Sequence, residues 1–119
     1  MSFREKFLQQ TDSFRKETVT VPGIGDAEIR EINSQQRSMI YRAATVTKDS
    51  GRNATTEVDP GLLAVWAVIC MARDVKSGEL IFDKADVEAL LEMPISAFDK
   101  LSKPALEFLG EDPEEEAKN

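Results

Sequence analysis

The chain contains no histidine, which removes the commonest general base and the commonest metal ligand. Cys70 is its only cysteine. No intramolecular disulfide can form, and a lone thiol suits a reducing compartment. Basic residues are outnumbered by acidic ones, 15 to 22, for a net charge of −7. Without a basic stripe to neutralise phosphates, nucleic acid is not expected as a partner. Long hydrophobic runs are missing too. The longest, Gly61 to Ala72, is twelve residues, roughly 18 Å as a helix and short of a bilayer's hydrocarbon core. No membrane association is expected, and Met1-Ser2-Phe3-Arg4-Glu5 lacks the apolar core of a secretory signal.

What remains is 119 residues of ordinary hydrophobic content, enough for one modest core. The expected organisation is one domain over residues 1–110, followed by a disordered acidic tail over 111–119. That tail, Glu111-Asp112-Pro113-Glu114-Glu115-Glu116-Ala117-Lys118-Asn119, is too polar to bury surface that would offset the entropy of ordering it.

The expected fold class is α+β, predominantly helical, with one β-hairpin near the N-terminus. Ser2 to Gln10 reads as a short helix, with Ser2 and Glu5 at capping-box spacing and Phe3 and Phe7 on one face. Glu17 to Val21 alternates polar and apolar residues as a half-buried strand does. Pro22-Gly23-Ile24-Gly25 is its turn, and Asp26 to Ile32 the returning strand. Asn33 or Ser34 caps a helix from Gln35 to about Val46, with Met39, Ile40, Ala43 and Ala44 as its apolar stripe. Lys48 to Glu57 reads as a polar loop without periodicity. Asp59-Pro60 opens a helix that is apolar on all sides and so belongs at the centre of the core. Asp83 caps Lys84 to Met93, with Val87, Leu90 and Leu91 facing inward. A last helix starts at Pro94 and is expected to kink or restart near Ser102 because of Pro104. Gly110 is its C-cap.

No residue pattern points to catalysis. Cys70 lies on the apolar helix and reads as a buried thiol. Gly23-Ile24-Gly25 is too short for a dinucleotide fingerprint. Asp83, Asp86 and Glu88 lack the ligand alternation of an EF-hand and read as helix caps. No enzyme activity, cofactor or metal is expected. Binding features are richer. Phe3, Phe7, Leu8 and Phe14 form a bulky apolar seam; such seams usually fold back on their own domain. The alternative is a surface offered to another subunit or to a partner's apolar helix.

Three stretches resemble the tail assembly chaperones of long-tailed bacteriophages of the siphovirus type. They are Val19-Thr20-Val21-Pro22 with Glu28-Ile29-Arg30-Glu31-Ile32 leading to Ser34-Gln35-Gln36-Arg37; Val68-Ile69-Cys70-Met71-Ala72 followed by Ser77-Gly78-Glu79-Leu80-Ile81-Phe82; and Asp86 to Pro94, with a final helix and the ending Glu116-Ala117-Lys118-Asn119. The Phe-containing N-terminal helix and Pro104 depart from many relatives. The resemblance implies a non-enzymatic late protein of virion morphogenesis, found in the host cytoplasm and absent from the mature virion. It implies binding and solubilising of the tape measure protein, recruitment of major tail protein subunits, and self-association into oligomers. The runner-up is a small acidic cytoplasmic adaptor or regulatory domain that binds a basic protein.

Members of that family are often made in a second, longer form by ribosomal frameshifting, which makes Lys118 and Asn119 the candidate frameshift position. The codons of Ala117-Lys118-Asn119 are then expected to carry an unbroken A-AAA-AA run. Sequencing the gene checks this, and an interrupted run at those three codons removes the expectation.

Overall fold

Helix α3, Pro60–Met71, is the element around which the others are laid. Asp59 caps it in the expected way: its carboxylate accepts the amide of Leu62 at 2.9 Å, and Pro60 takes the first helical position, where its missing N–H costs nothing. Leu63, Ala64 and Val65, then Ala67 through Met71, are all buried. A computed structural model supplies this description, for residues 2–50 and 53–110. The acidic tail 111–119, with Lys118 and Asn119, lies outside the described residues.

The architecture is α+β with two antiparallel sheets. Strands β1 (Lys16–Val21) and β2 (Gly25–Arg30) form the expected hairpin, in unbroken register from Lys16 opposite Arg30 to Val21 opposite Gly25. At its tip Val21 O accepts from Ile24 N at 3.0 Å, and Gly23 has φ +83°. Proline then glycine at the two central positions, with positive φ at the second, is the chemistry of a type II turn. Strand β5 (Ala72–Asp74) follows α3 directly and adds to the other side of β2, pairing Ile29 with Ala72 and Ala27 with Asp74. Sequence alone placed no strand there, because three residues are too few to show a period.

Helix α2, Ser34–Ala44, is capped reciprocally by Asn33 and Gln36. It places Ile40 and Ala44 in the core but leaves Met39 exposed. Helix α4, Val87–Leu91, follows a 3-10 turn at Lys84–Asp86 that Asp83 and Asp86 cap reciprocally. Leu90 is buried, whereas Leu91 is exposed, against the inward placement expected for it. The helix is barely more than a turn long, so few of its positions can face the core; Leu91 instead lies over the start of α3, near Gly61.

Helix α5, Ile95–Leu109, runs through Pro104 as one helix, and the restart expected near Ser102 does not occur. Ser102, Ala105 and Leu109, on either side of Pro104, are buried. Packing of that face outweighs the one backbone bond that proline removes. Gly110 ends the helix with φ +97°, the left-handed cap that glycine adopts without strain.

The largest departure is a second hairpin. Residues expected to form a helix end and a loop are strands β3 (Thr45–Ser50) and β4 (Asn53–Val58), paired from Thr45 opposite Val58 to Ser50 opposite Asn53. The fold therefore has two hairpins among the described residues, not one. Lys48 and Glu57, diagonal neighbours on one face, form an ion pair that raises the lysine pKa. The arm's base is closed by Asp59 N donating to Ala44 O at 2.9 Å.

The core joins Ile29 of β2, Ile40 and Ala44 of α2, Met71 of α3 and Ala105 and Leu109 of α5, with Val65, Ile69 and Leu90 as a second cluster beside it. Met71 has no exposed surface, so Met71→Ala is expected to lower the unfolding free energy by about 2–5 kcal/mol. Asp59→Ala, which removes only a cap, is expected to cost about 1 kcal/mol. Urea unfolding followed by circular dichroism checks both values and their order.

Candidate functional site

The first hairpin ends against α4 and α5 without filling the space between them. Its tip supplies Val21, Ile24 and Ala27, the segment after β5 supplies Ile81 and Phe82, α4 with its following turn supplies Ala89, Leu90 and Met93, and α5 supplies Ala97, Phe98 and Leu101. Together they enclose an open groove of about 480 Å³, within the size range of small-molecule pockets. Its only charged lining residues are Asp26 and Asp86. Each carboxylate already has a local task. Asp26 Oδ1 accepts from the Thr20 hydroxyl at 2.7 Å, and Asp86 Oδ2 accepts from the amide of Asp83 at 2.9 Å.

Phe82 also forms part of a second depression of about 550 Å³, on the side of α2 and α3, where Met39, Trp66, Leu80 and Lys84 line the wall. The same phenyl ring thus belongs to both linings. Ile24, part of the groove's lining, is 83% exposed, and Ile95, the first residue of α5, is 76% exposed.

Three residues of the expected N-terminal seam are on the outside. Helix α1, Phe3–Leu8, buries no residue; Phe3 is 82% exposed, Phe7 63% and Leu8 51%. The two rings stack, with centroids 5.7 Å apart and planes at 19°, a favoured aromatic geometry. The seam does not fold back on its own domain in the way such seams usually do. Nor does it extend to Phe14. After Leu8 the helix tightens to a 3-10 turn over Gln9–Asp12 and stops, leaving Phe14 partly buried and outside the helix. Arg15 then fastens the chain to the body. Its guanidinium bonds Glu31 at 3.0 Å and lies 4.9 Å from the Phe108 ring centroid, while Glu31 N donates to Arg15 O at 2.8 Å.

Among the described residues, no three His, Cys, Asp or Glu side chains gather where they could hold a metal ion. No helix of the described residues is long and apolar enough to cross a membrane. The arrangement can bind apolar side chains and can place carboxylates beside them. The seam, expected to fold back as such seams usually do, lies on the outside, and sequence reasoning missed the groove, whose lining comes from four separated stretches. The one local signal was Ile24, a large apolar residue at a turn where polar residues are usual.

Cys70 is buried, and desolvation pushes its thiol pKa up. At about pH 8 the native protein is expected to react with iodoacetamide at least about tenfold more slowly than the urea-unfolded chain. Equal rates in a timed alkylation assay would place the thiol in solvent. Comparison of the chain with family models, curated proteins and solved structures gave no match.

Proposed function

We propose that this chain is a tail assembly chaperone: it binds apolar helical segments of a tape measure protein, keeps that protein soluble and helps recruit major tail protein during tail-tube assembly. The observation that carries the reading is the open groove, lined by apolar side chains from Val21 to Leu101 and bordered by two carboxylates. An amphipathic helix laid across such a groove buries its apolar side chains in turn. Each large anchor fully buried contributes about 1.5–3 kcal/mol before the costs of association are subtracted. A few anchors therefore give reversible binding, which a chaperone needs if it is to release its client to the growing tube. The acidic body and tail favour solubility of the complex. The resemblance in sequence supplies the identity of the client.

Co-expression with the tape measure protein tests this. With the wild-type chain the client is expected to stay soluble and to co-purify. Ala89→Arg puts a charge in the groove from an exposed position on α4, and with it recovery of soluble client is expected to fall at least about tenfold. Circular dichroism melting checks that the variant folds. A client that is soluble and bound equally well with the variant removes the groove from the mechanism. A partner that is basic, and is lost in salt rather than by Ala89→Arg, points to the acidic adaptor.

A further inference from the structure

We propose that the chain's own acidic tail, residues 111–119, docks on the outer face of the three-stranded sheet and covers a cluster of cations there. This is separate from client binding and does not rest on it. Ala27 and Ile29 turn one face of β2 inward and are buried. Side chains alternate along a strand, so Glu28 and Arg30 take the opposite face. Their partners across the strands are Arg73 of β5 for Glu28 and Lys16 of β1 for Arg30. Three cations thus surround one acid, in a chain whose net charge is −7.

The cluster is incomplete as it stands. Lys16 is directly opposite Arg30 in the register of the hairpin. Like charges in that position repel and weaken the strand pair, which calls for an anion beside them. The one acid present is already committed, since Glu28 Oε2 accepts from Arg30 Nη2 at 2.9 Å. Arg30 Nε is buried without a hydrogen-bond partner, an unfavourable state for a donor. Arg73 Nη1 donates to the carbonyl of Gly78 at 2.8 Å, which leaves its charge unbalanced. None of the ion pairs among the described residues uses Lys16 or Arg73.

Charge and reach identify the tail as the occupant. Residues 111–119 hold five acids and one lysine, the complement of a patch with three cations and one acid. Their starting point is next to the patch. In the last turn of α5 the Phe108 ring lies 4.9 Å from the guanidinium of Arg15, the residue before Lys16. Gly110, which ends the helix, has Arg37 beside it, with Nη2 3.7 Å from where a side chain would begin. Strand β1 is an edge of the sheet, so a chain leaving Gly110 has only that edge to round. Nine residues reach up to about 30 Å, and the sheet is roughly 10 Å across its three strands. Exposed ion pairs are individually weak and screened by salt. Docking therefore relies on the tether, which holds the tail near the face at an effective concentration on the order of millimolar. With the tail in place the cations are closed to acidic segments of other proteins, which bind there only by displacing it.

Paramagnetic relaxation in the full chain tests this, with a nitroxide on Ala117→Cys in a Cys70→Ala background. At about 20 mM salt the amides of Lys16, Thr18, Glu28, Arg30 and Arg73 are expected to lose at least about half their intensity, and to regain it at about 0.5 M. Lys16→Glu, at an exposed position, is expected to relieve the broadening at low salt as well. Broadening confined to the neighbours of Gly110, or unchanged by Lys16→Glu, overturns the proposal. So does broadening of an isotope-labelled chain by the nitroxide of a second, unlabelled chain, which assigns the tail to another copy. A second measurement leaves Cys70 in place. Amide shifts of the wild type are compared with those of Glu114→Gln/Glu115→Gln/Glu116→Gln, and differences are expected at the same five residues. Identical shifts there overturn the proposal equally.

Discussion

Helix α3 has no polar face, and the need to cover it on every side organises the structure. Eight of its twelve residues are buried, and an apolar helix left in water would lose the largest favourable contribution to folding. Each neighbouring element takes one sector. Helix α2 covers it with Ile40 and Ala44, α5 with Ala105 and Leu109, the sheet with Ile29 and Ala72, and α4 with Leu90. In a chain of this length the elements run out before all apolar surface is covered. The shortage appears where the hairpin tip meets the short helix α4, and there the groove opens. The candidate site is thus a result of the same packing problem that sets the fold.

The parts that could be read from sequence were those in which a local rule and the tertiary structure agree. Asp59-Pro60, the Pro22-Gly23 turn and Gly110 each pair a backbone requirement with a residue suited to it, and each adopts the expected geometry. The second hairpin was hidden because both its faces meet solvent: residues 54, 55, 56, 57 and 58 are all exposed. A strand without a buried face carries no alternation of polar and apolar residues. Its remaining signal is the β-branched content of Thr45-Val46-Thr47 and Thr55-Thr56 on either side of Gly51. Pro104 misled for the opposite reason, since a strong local rule was overridden by the burial of Ala105 and Leu109.

A groove built from four stretches has no sequence signature of its own, whereas helix α1 is a single stretch whose apolar residues can be read directly. The two features belong to one economy of apolar surface. Both leave apolar area outside the core, the kind of surface that protein association covers. Asp26 and Asp86 set two carboxylates beside the apolar lining of the groove.

The bond between Asp59 N and Ala44 O joins the end of α2 to the start of α3 directly, so the two helices meet whether or not the strands between them are present. The arm β3–β4 is in this sense an insertion at a closed junction. Such a junction tolerates changes of length and content that the core does not. It is the natural place in this molecule to attach a fluorophore or an affinity tag, since no residue of β3 or β4 lines the groove. Along a lineage, the same junction is where the chain can acquire or lose surface without refitting its interior.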